Sequence, residues 1–324
     1  MKIAILGAGS LGCIFGGFLA QAGYDVTLIG RRSHIEAIRK GGLIITGIKG
    51  THVVRIRAAY DPLEVKNVDF LILLTKTMDT SAALAGVSHL YQVVNCVVSL
   101  QNGLVKDDQL REKFGKDKVI GGTTMTGGTL LGDGQVEYTA DGVTYFGEFD
   151  GSRTERVDNI AVMFNKAGLK AKVVDDIRSA EWTKLIVAVP SLASSSITRL
   201  ELHKVMKNRL LASLYVQLVK ECTEVAIKDG ARLNDYPDMK LVKRIAEADF
   251  DHAVELVVEN GIKLGKAGMT KVTPSMLQSI LKGRKTELEE TLGYVVKKAE
   301  EQGISVPAVE FCYKTIKGID AYLE

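Results

Sequence analysis

Six residues near the amino terminus, Gly7-Ala8-Gly9-Ser10-Leu11-Gly12, spell G-x-G-x-x-G. The apolar run Lys2–Leu6 precedes them and an amphipathic stretch follows, in a unit of about 30 residues that closes on a second strand. In that setting Gly7 allows the tight turn, Gly9 lets backbone approach a pyrophosphate, and Gly12 lets helix and strand pack closely. The helix that starts here offers free N–H groups and a partial positive charge to the phosphates. The competing reading, a bare strand-to-helix turn, is disfavoured by the strand on each side. The second strand ends at Ile29 and Gly30-Arg31-Arg32 follow. An NAD site usually carries Asp or Glu there for the ribose hydroxyls. Two guanidinium groups suit a 2′-phosphate instead, so the expected cofactor is NADP(H), against a solvated basic turn. Lys76 and Asn102 follow two further apolar runs. With Gly12 and Arg31 they are expected along one edge, outside the carboxyl ends of the strands, where ligands of open parallel sheets bind.

A second candidate lies in Glu181-Trp182-Thr183-Lys184-Leu185-Ile186-Val187-Ala188-Val189-Pro190. Lys184 borders a run with no further charge before Arg199. A lysine drawn into such surroundings loses solvation and its pKa falls, toward the roughly 7–8 that suits a general acid at neutral pH. The alternative is a lysine snorkelling to water. Glu287, with Glu289 and Glu290, is expected to open a helix Glu287–Gln302, and by composition alone these acids complement its dipole. The five histidines show no metal-ligand spacing, and no G-x-S-x-G is present. Gly261-Ile262-Lys263-Leu264-Gly265-Lys266-Ala267 lacks the spacing and the hydroxyl of a phosphate loop. Ser194-Ser195-Ser196 reads as a small-residue stretch in packed helix.

These residues need a scaffold. A chain of 324 residues with 25% charged and 46% hydrophobic residues is ordinary globular protein of about two domains. The net charge of +3 and the lack of a basic stripe argue against a nucleic-acid binder. Of 32 glycines, 24 lie at or before position 175, so the first half reads as short elements joined by turns and the second as long helices. Strands are expected at Lys2–Leu6, Asp25–Ile29, Asp69–Leu74 and Asn95–Leu100, with helices Leu11–Gln21, Ser33–Arg39 and Met78–His89 between them. That alternation predicts a parallel sheet with helices on its faces. Antiparallel hairpins are predicted from Thr123–Leu131, Gln135–Thr139 and Val143–Phe149, joined by Gly-Asp-Gly and Asp-Gly turns. A helix Glu155–Lys166 and a strand Lys170–Val174 follow. Beyond Ile177, Leu210–Lys228, Asp238–Glu247, Met276–Leu281, Glu287–Gln302 and Ala308–Tyr322 carry helical periodicity. Cys13, Cys96, Cys222 and Cys312 stand far apart and read as buried free thiols. No apolar run approaches the length of a membrane span. With no signal-peptide layout at the start, the protein is expected in the cytoplasm.

Taken together, the chain resembles the ketopantoate reductase family (2-dehydropantoate 2-reductases) over nearly its whole length. The likeness runs from Lys2–Gly12 through Leu100-Gln101-Asn102-Gly103, Gly122-Thr123-Thr124 and Glu181-Trp182-Thr183-Lys184-Leu185. It continues in Ser275-Met276-Leu277-Gln278, Thr286-Glu287 and Gly303-Ile304-Ser305-Val306-Pro307. The resemblance implies an α/β Rossmann-type dinucleotide-binding domain over 1–175, an all-α substrate domain over 176–324, and an active site in the cleft between them. It implies NADPH-dependent reduction of a 2-oxo acid on the route to pantothenate, with Lys184 protonating the nascent alkoxide. Glu287 matches a glutamate near the nicotinamide ribose and the reacting centre. Asn102 matches an asparagine at cofactor and substrate, and Ser275 a serine at the substrate carboxylate. Arg31 and Lys76 match cofactor-side basic residues, and Gly128 falls in a loop whose backbone meets the cofactor. One and two turns after the lysine the family pattern often has asparagines; this chain has Ala188 and Leu192, expected to line the substrate pocket, and Val272 is likewise apolar. A relative acting on a more apolar 2-oxo acid is therefore one rival, and a non-catalytic NADP-sensing binding protein another. The expected partner is a small-molecule 2-oxo acid, with no nucleic acid and no membrane; a homodimer is compatible with the reading.

Overall fold

The computed structural model describes residues 1–267 and 273–323; Val272 lies outside the described residues. The chain divides into two compact units, Met1–Gln101 with Val105–Ala180, and Asn102–Leu104 with Glu181–Glu324.

The first unit begins with β1 (Lys2–Leu6), α1 (Ser10–Gln21), β2 (Asp25–Ile29), α2 (Arg32–Gly41), β3 (Leu43–Gly47), β4 (His52–Val54), β5 (Arg57–Ala59), β6 (Phe70–Leu73), α3 (Thr80–Gly86) and β7 (Cys96–Ser99). Five strands form one sheet in the order β5-β2-β1-β6-β7, and every pairing in it is parallel. Both faces are buried, because alternate residues feed two different cores. Ile3 and Ile5 join one with Leu28, Phe70 and Val98, while Ala4 and Leu6 join the other with Leu71 and Val97. This is the predicted parallel sheet, and apolar runs without polar alternation are what such strands require. The short β3, β4 and β5 were not expected, since three to five residues are too few to display a period.

Next come α4 (Val105–Phe114), β8 (Gly121–Thr124), β9 (Gly127–Gly132), β10 (Gln135–Ala140), β11 (Thr144–Gly147), α5 (Glu155–Lys166) and β12 (Ala171–Val173). Helix α4 escaped the periodicity reading because it turns charge inward. Lys106 and Asp107 are 3% and 1% exposed and pair at 2.9 Å, with Arg178 3.6 Å from the same carboxylate. The predicted hairpin through Gly132-Asp133-Gly134 is present, with β9 antiparallel to β10, while the second predicted hairpin is corrected. The stretch Thr123–Leu131 is two strands, β8 and β9, and Asp141-Gly142 is not a hairpin turn. Instead one long antiparallel ladder bends: β9 pairs with β10 in one sheet, and β8 with β11 in another. The bend is held by Met125 N–H to Val143 O (3.0 Å) and by the Thr126 hydroxyl to Gly142 O (3.0 Å). Asp141 is not at a turn tip because its carboxylate accepts from Tyr138 (2.6 Å) and pairs with Lys49 and Lys170.

Helix α6 (Ile177–Thr198) carries the boundary between units. The second unit then holds α7 (Leu202–Lys207), α8 (Arg209–Lys228), α9 (Lys240–Glu247), α10 (Phe250–Lys266), α11 (Ser275–Leu281), α12 (Tyr294–Gln302) and α13 (Pro307–Asp320). The glycine-lysine stretch at Gly261 lies inside α10, where a Cβ on Gly261 would fall 2.6 Å from the backbone of Lys207, so the glycine serves close helix packing. All four cysteines are buried free thiols. Among the described residues no helix is long and apolar enough to cross a membrane. Buried Glu221 on α8 accepts from the backbone N–H groups of Ala308 (3.1 Å) and Val309 (2.9 Å), tying α8 to the positive end of α13. Glu221→Ala strands two buried donors and is expected to cost about 2–4 kcal/mol, with Glu221→Gln losing less. Urea unfolding followed by helical circular dichroism checks this; an unchanged midpoint would contradict the cap.

Candidate active site

In the first unit the glycine loop connects β1 to α1. Gly7 has φ of +113°, and a Cβ on Gly12 would lie 2.1 Å from Gly7 O. A Cβ on Gly9 would meet nothing within 4 Å. The backbone there borders open space, and Ala8, Ser10 and Leu11 complete the turn. Helix α1 has no side-chain cap and no acid in its first turn, so its amide donors remain available to an anion. These features fit a dinucleotide pyrophosphate. The two arginines beyond β2 separate in role. Arg32 is held by Glu36 at 2.7 Å and lies over the Tyr60 ring at 4.9 Å. Arg31, at the cap of α2, is 80% exposed with a loose 3.9 Å contact to Asp79. Arg31 is thus the guanidinium free to turn toward a phosphate.

Lys76 is exposed at the end of β6, at the cap of a short 3-10 turn. Behind it stands a residue the sequence reading did not single out as structural. The Gln101 amide donates to Thr75 O (2.8 Å) and the Thr80 hydroxyl (2.8 Å), and accepts from Ser99 (2.9 Å). This amide latches the ends of β6 and β7 together; only its place beside Asn102 hinted at it. Gly128 is corrected. It lies in strand β9 opposite Tyr138, not in a loop. A Cβ there would fall 2.4 Å from the Ile14 side chain and 3.4 Å from Ser10, so the missing side chain lets the strand lie against the first turns of α1.

In the second unit α6 presents one narrow stripe. Between Glu181 and Ser196 the part-exposed residues are Lys184, Val187, Ala188 and Ser191, and the rest are buried. This is the i, i+3, i+4, i+7 face of a helix. Burial pulls the Lys184 ammonium down from the ordinary 10.5 to about 8, as the charge-free run predicted. Its neighbour anchors the helix: the Trp182 indole donates to Asp229 (2.9 Å), which Lys298 approaches at 3.4 Å, and Trp182 packs on Tyr294 with ring centres 5.6 Å apart. Leu192 is 5% exposed and off the stripe. A spacing of two whole turns is nearer seven residues than eight, so the polar position at the far end of the stripe is Ser191. Helical period alone could have found it.

Asn102 packs with the second unit, where its amide donates to Glu287 at 3.5 Å. Glu287 does not open an α-helix as expected. A π-helical turn, Glu289–Gly293, intervenes before α12, and such turns often mark functional sites. Gly103 has φ of +81°, and a Cβ on it would fall 2.2 Å from Glu290 O. The Asn102-Gly103 turn is thereby seated on the π turn. Ser275 is exposed as the first residue of α11.

The model of Ketopantoate reductase PanE/ApbA matches residues 3–151, and its C-terminal counterpart matches residues 176–320. The chain belongs to the ketopantoate reductase family. The 2-dehydropantoate 2-reductase of Pyrococcus abyssi is 34% identical over 99% of this chain and 98% of its own length. Among solved structures, a PanE/ApbA family ketopantoate reductase from Ralstonia eutropha is 27% identical with a TM-score of 0.82, covering 99% of each chain. A D-mandelate dehydrogenase with NADH and anilino(oxo)acetate shares the fold, with a TM-score of 0.85 at 23% identity over 99% of each chain. As a member of the family, this reductase is an NADP(H)-dependent oxidoreductase acting on a CH–OH group, with the Rossmann-type and helical parts expected of it. That sets aside the non-catalytic binding protein.

The seat of Asn102 generates a prediction. Gly103→Ala combines a left-handed backbone with a backbone overlap and is expected to destabilise the reductase by more than about 1 kcal/mol. Differential scanning calorimetry with and without saturating NADPH measures it; wild-type melting would show that the turn does not rest on the π turn.

Proposed function

We propose that this chain reduces ketopantoate (2-dehydropantoate) to pantoate with NADPH, as the names of its relatives suggest, and so serves the route to pantothenate. One observation supports this most. Lys184 is a desolvated lysine on the open stripe of α6, and among the described residues no hydrogen bond or ion pair engages its ammonium. A group of that kind can give a proton near neutral pH and stabilise a developing alkoxide.

The glycine loop Gly7–Gly12 and Arg31 hold the cofactor in this reading, with Lys76 beside them. Bound NADPH supplies the hydride. Lys184 donates its proton to the substrate oxygen. Asn102 and Glu287, already hydrogen-bonded to each other, orient the reacting groups, and Ser275 meets the substrate carboxylate. Ala188 gives the stripe an apolar middle. Its methyl, where relatives often carry an amide, favours as second reading a more apolar 2-oxo acid. Comparing turnover of ketopantoate with that of branched and aromatic 2-oxo acids separates the two.

Lys184→Ala is expected to lower kcat by about 10²–10⁴-fold with little change in NADPH affinity. Lys184 acts as an acid, so activity is present while it is protonated and lost above its pKa. The kcat/KM profile should therefore fall on the alkaline side near pH 8, and that limb should be missing in the variant. Near wild-type kcat for Lys184→Ala at pH 7 would remove the residue from the mechanism.

The cofactor assignment has its own test. Loss of the Arg31 guanidinium should reduce the preference for NADPH over NADH by about 10–150-fold, the worth of a charge-assisted contact of about 1.5–3 kcal/mol. Steady-state kinetics of Arg31→Ala with both cofactors measures it. An unchanged preference would transfer the 2′-phosphate to another residue.

A further inference from the structure

We propose that Ser191, polarised by Tyr215, reads a hydroxyl group on the substrate, making this enzyme selective for 2-oxo acids that carry a hydroxyl on the second carbon beyond the carbonyl. The inference rests on the reading of the chain as a 2-oxo acid reductase and supplies what the missing amides leave open.

The stripe on α6 has a sequence of chemistries: the Lys184 ammonium, then Val187 and Ala188, then the Ser191 hydroxyl. Ser191 Oγ lies 3.1 Å from Val187 O and 3.1 Å from the Tyr215 hydroxyl. Tyr215 is 5% exposed, and among the described residues Ser191 is the one hydrogen-bond partner of its hydroxyl. A buried phenol donates its proton rather than leave it unmade, so Tyr215 donates to Ser191 Oγ. Ser191 in turn gives its single proton to Val187 O. One lone pair on Oγ is left, on a part-exposed residue of the stripe, to accept from a ligand hydroxyl. A partner that only filled space would not need a buried phenol directed at it.

The span fits such a ligand. Seven residues of helix rise about 10.5 Å. A hydrogen bond of about 2.8 Å at each end leaves about 5 Å between the carbonyl oxygen at Lys184 and the hydroxyl at Ser191, and the flexible lysine stem adjusts the remainder. An oxygen on the second carbon past the carbonyl carbon falls in that range. Val187 and Ala188 offer an apolar surface to a branched carbon between the two. Leu192, in the position where an amide was expected, is buried and cannot replace this contact.

The test compares ketopantoate with trimethylpyruvate, the same carbon skeleton without the hydroxyl, using the full chain and NADPH. In Ser191→Ala, kcat/KM for ketopantoate should fall about tenfold, mainly through KM, while trimethylpyruvate turnover stays as in wild type. Ser191→Thr should restore most of the ratio, and Tyr215→Phe should give a smaller loss with the same selectivity. An equal loss on both acids would assign Ser191 a merely structural part and overturn the inference, as would an unchanged ratio; both leave the reductase reading standing. Wild-type enzyme that reduces neither acid removes the reductase reading and this inference with it.

Discussion

Partial burial of the Lys184 ammonium on α6 is the physical constraint at the centre of the second unit's open stripe. Desolvation that brings Lys184 to about 8 corresponds to about 3 kcal/mol spent on keeping the charge there. A lysine on a mobile helix would swing out and recover that energy. Here the flanking residues Thr183 and Leu185 are buried, and the indole two positions earlier is bonded to Asp229 and packed on Tyr294. Trp182 therefore matters to Lys184 through the helix: it fixes the helix face, and the face fixes the solvation.

The remaining polar groups are held by backbone constraints of a different kind. Gln101 satisfies its amide on Thr75, Thr80 and Ser99, joining the ends of two parallel strands where hydrogen bonding between them stops. Asn102 and Gly103 then leave that sheet and seat on the π turn ahead of α12, where only a glycine tolerates both the backbone angle and the approach of Glu290. An asparagine placed this way needs no flexible search to reach Glu287. Preorganisation of this sort lowers the cost of ordering side chains when a ligand arrives.

Family membership sets the reaction type, and the stripe on α6 lacks the amides expected after the lysine. Where the resemblance leads one to expect those amides, an alanine lies on the stripe and a leucine is buried beside it. Helical geometry moves the available polar group to Ser191, whose hydroxyl is oriented by a phenol from α8. A substitution that looks like loss of recognition in the linear sequence can thus be a displacement along the same helix face.

The sequence by itself determined the parallel sheet, the glycine loop at its edge and the low pKa of Lys184. Each depends on residues close in the chain: apolar runs long enough to show a period, glycines at fixed spacing, and a helix with no charge in the run after its one lysine. It also placed Arg31 beside a strand end, though not which of two arginines stays free; that was decided by Glu36 and Tyr60. Tertiary structure alone decided the bend of the long ladder at Asp141-Gly142, because the carboxylate that signalled a turn is taken by Tyr138, Lys49 and Lys170. It decided that charges of α4 point inward, that a π turn precedes α12, and that Asn102 meets Glu287 across 185 residues. It also brought Tyr215 to Ser191. Pairings between distant segments leave no periodic trace, since neither partner's neighbours need change for the contact to form.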